Sequence, residues 1–523
     1  MWSWSPRSLG PLVGVITSGA RASIAPVRIS REFMDYIKDE MLAIVDDFVE
    51  GRRFLGVFKS SVKKDLAIDS SALPTIFDPE KSHSFSAPLM QSYVEIIGEI
   101  PPEGGLYISF AIPRPGSNVY VVEKGVELAK VLNLPQGLTI GYHKFSELQI
   151  DMDPRTLDFH VAVLGATGSG KSRLVKAIVE EVVRKKPEYS LVVFDHTGVD
   201  YADNSRWGNI NVEIVDASQI VLEPDVIAEI LVKYTGLTSY YEDYMYGIVL
   251  EYIKSVIDRI EKQQNVSSDR TKQMQTPFIH GRGHDMSIEE IMTKYREYSA
   301  KGLFTWSFND FITIAEAYLA KMGAKDSTIE KVKMKLYTRI GRRFFEENLS
   351  KRRILVDNVV EKMLSNRGSV LIVDLSSEFE YSAKNSIVYQ IIKRIWDYIA
   401  EGRRRANAVA VIDEAHNYCC AHGCEPARDI IARTAREGRK WGFGLILASQ
   451  RIIDLAPDIR GNINTVFFSR LQTAGDYSEL RNWIEGVDYM QYTLPLLAPR
   501  EFFFTGLGNP LRRPILVRVR DVA

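Results

Sequence analysis

Cysteine is scarce in this chain of 523 residues: Cys419, Cys420 and Cys424 are the only three, and they fall within six positions. So small a cluster excludes a disulfide framework and points to a reducing, cytoplasmic setting. His416 and His422 stand close by, but the spacing fits no standard zinc pattern and a second ligand pair is missing. A small cysteine-bearing loop after a strand is the expectation. A dominant charge is lacking too, with 66 basic against 67 acidic residues and a net charge of −1. That excludes a broadly basic surface but not a basic lining confined to a groove or pore. No run of about twenty apolar residues occurs, so no membrane-spanning helix is expected and no membrane partner. Acidic residues are absent before Glu32, while Arg7, Arg21, Arg28 and Arg31 precede it. Transit peptides share that composition; Leu12–Ser18 equally reads as a first strand and turn.

The length exceeds what one core organises, so two or three domains are expected. Residues 1–150 carry short β-branched runs, Val13–Thr17, Phe54–Phe58, Val94–Ile100, Leu106–Ile112 and Asn118–Val122, separated by Pro- and Gly-rich turns. A small β-barrel or sandwich follows, with residues 30–50 expected as an amphipathic helical exception. From about residue 158 apolar runs alternate with helical patterns, as in a parallel sheet with crossover helices. Candidate strands are His160–Leu164, Leu191–Phe194, Val370–Val373, Val409–Ile412, Leu445–Ala448 and Val466–Ser469. The fold class is therefore α/β. An ATPase-type core over 151–221 and 367–523 is interrupted by a helical insertion over 222–366, within which Gln263–Asp285 reads as a loop.

Gly165-Ala166-Thr167-Gly168-Ser169-Gly170-Lys171-Ser172 follows an apolar strand and opens a helix with Leu174, Ile178 and Val182 on one face. Strand, glycine-rich loop and helix N-terminus form a concave anion site lined by backbone N–H groups. Lys171 suits the β and γ phosphates of ATP, Ser172 suits Mg²⁺, and Arg173 completes the nucleotide-binding stretch. A second apolar strand ends in Asp413-Glu414, which delivers two carboxylates to the edge where ligands bind in such sheets. Asp413 is the expected Mg²⁺ ligand and Glu414 the general base for water. Gln450, at the end of the strand before Arg451, is placed to sense the γ-phosphate. Arg439, Arg436 and Arg451 are candidates to stabilise transition-state charge, each with an alternative as a surface arginine. Lys351-Arg352-Arg353, Arg403-Arg404-Arg405 and Arg342-Arg343 read either as DNA contacts or as solvated turns.

Taken together these segments resemble the HerA family within the HerA/FtsK class of ring-forming DNA motors. Leu164–Ser172, with His160 before it, is similar to the family's first motif. Asp413–His416, Ala435–Lys440 and Ser449–Arg451 are similar to its later motifs, and Val370–Glu378 resembles its third-strand segment. Pro113–Ser117 with its surroundings looks like the family's N-terminal (HAS-type) barrel, and Thr505–Gly508 with Pro514–Arg520 fits its closing segment. The resemblance implies a RecA-like core, a homohexameric ring moving double-stranded DNA through its channel by ATP hydrolysis, and a NurA-like nuclease partner in DNA-end resection. It also implies ATP between subunits, reached by Arg439 or a neighbouring arginine. Two positions depart from the pattern: Phe159 stands where a basic residue is frequent, and Asp195–Tyr201 has one residue more than the family's Asp-Pro-His-Gly-Glu-Tyr. A conjugation- or packaging-type DNA pump, and a nucleotide-switched scaffold for a nuclease, are the alternatives.

Overall fold

The computed structural model describes residues 4–65, 88–238, 241–269, 286–471 and 473–522. Their strands fall into two sheets. β1 (Leu12–Ile16), β2 (Ile24–Ile29), β3 (Leu42–Asp47), β4 (Arg52–Asp65), β5 (Pro88–Ile100) and β6 (Asn118–Val121) close into an antiparallel barrel of order β1-β2-β5-β4-β3-β6. Closure leaves no unpaired sheet edge. The long β4 and β5 pair along most of their length, with register shifts at Leu55/Gly56 and Lys59/Val62 that let the ribbon bend around the barrel.

Two expectations for this half are corrected. Residues 30–50 hold a short 3₁₀ turn, Arg31–Phe33, followed by β3, not a helix. Leu42, Ala43, Ile44 and Val45 are all fully buried between β4 and β6, so pairing on both sides outweighs the weak helical periodicity. Leu106–Ile112 is no strand either: it makes one bridge, Glu99 to Tyr107, and leaves Ile108, Phe110 and Ile112 exposed.

The second sheet contains β7 (Leu138–His143), β8 (Gln149–Met152), β9 (Val161–Leu164), β10 (Ser190–Asp195), β11 (Val212–Asp216), β12 (Val370–Asp374), β13 (Ala408–Ile412), β14 (Phe443–Ser449), β15 (Thr465–Phe468), β16 (Glu501–Gly506) and β17 (Ile515–Val519). Its order is β11-β12-β10-β13-β14-β9-β15-β16-β17-β7-β8. The strands from β11 to β15 are parallel, and those from β15 to β8 pair antiparallel. The expected parallel sheet is thus extended by an antiparallel wing. Because β7 and β8 belong to that wing, a boundary at residue 150 cuts through β8. β11 escapes sequence reasoning because Val212-Glu-Ile-Val-Asp216 is a short edge strand with no fully apolar run.

Apolar side chains alternate across the sheet and build two cores. One face packs against the helix Lys171–Lys185 and continues into the barrel through Leu42, Ile44 and Leu55. The other packs against the helices Tyr381–Gly402 and Ala427–Trp441 and the insertion. Between β11 and β12 lie the helices Pro224–Thr235, Glu242–Asp269, Ile288–Ala300, Phe308–Lys321, Asp326–Arg339 and Val356–Ser365. Their aromatic centre stacks Tyr252 on Trp306 at 4.9 Å, ringed by Phe304, Phe311 and Phe345. Of the stretch Gln263–Asp285, residues through Asp269 carry on the preceding helix, and 270–285 lie outside the described residues.

A buried polar joint ties barrel to sheet. Lys59 of β4 is fully buried, 2.5 Å from Glu40, and its ammonium lies over the Phe503 ring of β16. His143 at the end of β7 makes a 2.9 Å hydrogen bond with the Glu40 carbonyl.

Candidate functional site at the carboxyl edge of the sheet

In register, Leu164 of β9 stands beside Ser449 of β14, and Ile412 of β13 beside Leu447 of β14 and Phe194 of β10. The loops after these strands therefore open on one edge, where ligands bind in open α/β sheets. They enclose a cavity of about 670 Å³ lined by residues that include Lys171, Ser172, Asp413, Glu414 and Gln450. Gly168 and Gly170 hold φ of +75° and +97°, left-handed values that let the loop curl. The helix Lys171–Lys185 begins there and points its positive end into the cavity. Lys171 is 8% exposed and its ammonium donates to the Gly165 carbonyl at 3.0 Å, bridging the loop. Burial lowers its pKa, against the opposing pull of Glu414, Asp413 and Asp200.

Asp413 is 3% exposed, and burial, helped by the charges of Glu414, Asp195 and Asp200, pushes its carboxyl up to about 8. Glu414 sits in a left-handed conformation, φ +45°, which turns the chain sharply after β13. Its Oε1 accepts from Gln450 Nε2 at 2.5 Å, and the Gln450 carbonyl accepts from the Thr167 hydroxyl at 2.7 Å. A chain of two hydrogen bonds thus links the phosphate loop to the proposed base. Glu414 Oε2 is buried without a hydrogen bond, with His416 Nδ1 at 3.4 Å. Clustered carboxylates, an unpartnered buried oxygen and a hydroxyl at the helix start form a donor set that fits a divalent cation.

Two cavity residues, Asp200 and Arg500, and one buried neighbour, Tyr201, lie outside the sequence motifs. Asp200 lines the cavity and is carried by the loop after β10. That loop is organised by Asp195, whose carboxylate accepts from the N–H groups of Gly198, Tyr201 and Ala202 at 2.8–3.0 Å. The departing segment Asp195–Tyr201 was the signal that something sits there. Tyr201 is wholly buried among Asp413, Asp200 and Asp195. Arg500 has no local signal: it precedes β16, and its N–H donates to the Ser169 carbonyl at 2.7 Å.

The candidate arginines stand elsewhere in the chain. Arg439 stacks at 4.1 Å over the ring of Phe159, which lies just before β9. That is the sheet's opposite edge, roughly 20 Å away along the seven residues of β14. Phe159 thereby has a role that a basic residue could not fill, holding a guanidinium by its π face. Arg436 approaches Asp458 at 3.6 Å, and Arg451 pairs with Asp454 at 3.2 Å. None of the three lines the cavity of its own chain. His160 is structural: it hydrogen-bonds the Ala435 carbonyl and the Leu445 N–H, each at 3.1 Å, and burial lowers its pKa to about 4. The cysteine expectation is corrected, because Cys420 and Cys424 form a disulfide with Cα atoms 5.7 Å apart. Gly423 at φ +85° turns the chain back to bring them together. Among the described residues no group of three or more His, Cys, Asp or Glu is arranged to hold a metal by itself, and no helix is long and apolar enough to cross a membrane.

A glycine loop on a helix N-terminus, faced by a strand-end Asp-Glu pair and a glutamine from the adjoining strand, defines a P-loop nucleotide hydrolase. Comparison narrows the class. The model of the HerA helicase central domain matches residues 138–395. A probable helicase of Methanocaldococcus jannaschii is 24% identical over 461 residues, covering 82% of this chain and 78% of the relative. The DNA double-strand break repair helicase HerA of Pyrococcus furiosus is 25% identical over 406 residues, covering 73% of this chain and 69% of the relative. VirB4 of Thermoanaerobacter pseudethanolicus aligns in structure at TM-score 0.47 and 12% identity, over 74% of this chain and 97% of that one. Residues 138–395 are thus similar to the HerA central domain, and several archaeal relatives named as HerA helicases are similar over longer stretches.

Proposed function

We propose that this protein is an ATP-driven translocase on double-stranded DNA, acting as a homohexameric ring in DNA-end resection with a NurA-like nuclease. The observation that carries the hydrolytic part is the chain Thr167–Gln450–Glu414, which joins the phosphate loop to the base. Lys171 and the backbone N–H groups of the loop hold the β and γ phosphates of ATP. Asp413 and Ser172 would hold Mg²⁺, which when bound offsets the phosphate charge. Glu414 takes the proton of the attacking water, and Gln450 fixes the carboxylate on which that water depends. Arg173 and Arg500 supply cations from the chain itself. A further arginine, Arg439, Arg436 or Arg451, reaches the site of a neighbouring subunit, since none of them reaches its own. The relatives named as double-strand break repair helicases support the DNA reading.

The test is ATP turnover with and without duplex DNA at stated salt, in wild type and Glu414→Gln. Turnover should be stimulated by DNA in the wild type and fall about 10²–10⁴-fold in the variant, with nucleotide binding retained. A scaffold would instead turn over slowly and keep its partner binding unchanged in Glu414→Gln. Wild-type turnover indifferent to DNA would end the motor reading.

A further inference from the structure

A second cavity, of about 740 Å³, opens on the same sheet edge, between the loop after β12 and the stretch that follows the helix Asp326–Arg339. Three cations line it: Arg339, Arg343 and Lys351. Arg343 is offset by exposed Glu347 at 3.3 Å, whereas Arg339 and Lys351 make no ion pair among the described residues. Phe379, from the β12 loop, borders the cavity and is 87% exposed. The basic stretch is irregular. Gly341 holds φ +70°, Phe344–Asn348 forms a π-helical turn, and Leu349–Lys351 a 3₁₀ turn. Such turns often mark functional sites.

This stretch is held in place. Arg352, 3% exposed, is ion-paired with Glu378 and donates to the Ile220 carbonyl at 3.0 Å and to Asn348 Oδ1 at 2.8 Å. The buried pair fixes the cations against the loop that carries Phe379. Two of the basic clusters visible in the sequence, Arg342-Arg343 and Lys351-Arg352-Arg353, each give a residue to this wall. Arg405 is paired with Asp158 at 2.5 Å, and Arg404 lies over the Tyr398 ring at 3.9 Å.

Cations that make no ion pair among the described residues, along an irregular helical wall and with an exposed ring at the cavity border, suit a run of phosphates and a stacking or sugar contact. We propose that this cavity binds the phosphodiester backbone of nucleic acid, with Arg339 and Lys351 on phosphates and Phe379 against a sugar or base. The proposal rests on the DNA-motor reading and names one of its contact surfaces. The loop beside this cavity also touches the loop that leads to the nucleotide site. A side chain at Gly198 would meet Ser376 Oγ at 2.3 Å and Asp374 Oδ1 at 2.6 Å, so the loops after β10 and β12 touch. Two residues beyond Gly198, Asp200 lines the phosphate cavity.

The test is anisotropy of a labelled 30-base-pair duplex across a salt series, using the full chain with Arg339→Ala/Lys351→Ala and the charge-keeping Arg339→Lys/Lys351→Arg. The alanine pair should weaken binding about tenfold or more at moderate salt and reduce the slope of log affinity against log salt by about 2. The charge-keeping pair should stay near wild type, which separates charge from folding. Wild-type affinity and slope in the alanine pair would overturn this site alone. A wild type that binds no duplex would overturn the motor reading and this site with it.

Discussion

Two cavities share one sheet edge and are built in opposite ways. In the phosphate cavity the working groups partner one another: Lys171 with Gly165, Gln450 with Glu414 and Thr167, and Asp195 with its own loop. The basic cavity has a buried floor, Arg352 with Glu378, but Arg339 and Lys351 on its wall make no ion pair among the described residues. The contrast follows from what each must do. Stabilising charge during a reaction needs donors fixed beforehand in a site shielded from water. Holding a backbone that slides past needs contacts that form and release, which exposed charges screened by salt provide.

The largest expected effect lies in the phosphate cavity. Lys171→Ala should cut ATP turnover about 10²–10³-fold or more, because one fixed cation facing developing phosphate charge is lost; a steady-state assay reads it directly. Arg339→Ala/Lys351→Ala should instead leave the phosphate site intact and remove most of the stimulation by duplex DNA. That split between turnover alone and turnover with DNA would confirm that the two cavities are separable. Thr167→Val should reduce kcat by roughly tenfold, the scale of one hydrogen bond, with KM for ATP little changed; Thr167→Ser should restore it. An equal loss in the serine variant would show that the hydroxyl is not the working group.

A separate prediction concerns stability. Burial lowers the His160 pKa to about 4, so between pH 6.5 and 4 the unfolded chain binds a proton that the folded chain does not. Stability is therefore complete above about pH 6.5 and falls as pH drops toward 4, by up to about 3 kcal/mol from this group. His143 is lowered to about 4 as well. In His160→Gln, proton uptake on unfolding near pH 5 should thus fall by about one without vanishing, as the pH dependence of the denaturant midpoint will show.

What could be read from the sequence was what is local. The phosphate loop lies on consecutive residues, and Asp413-Glu414 closes an apolar run, so motif and strand pattern coincide. Arg500 could not be found, because a turn between β15 and β16 brings it to Ser169 across more than 300 residues. Residues 30–50 misled because β3 owes its form to neighbours on both sides, not to its own periodicity. The basic clusters looked alike as strings of Lys and Arg. Only packing separates Arg352, a buried staple, from Lys351 beside it on a cavity wall.

Movement itself is the central claim, and displacement of a triplex-forming strand from a duplex tests it most directly. With ATP, the wild type should strip the third strand as it travels, and Lys171→Ala should leave it in place. A wild type that hydrolyses ATP in the presence of duplex yet displaces nothing would contradict the account.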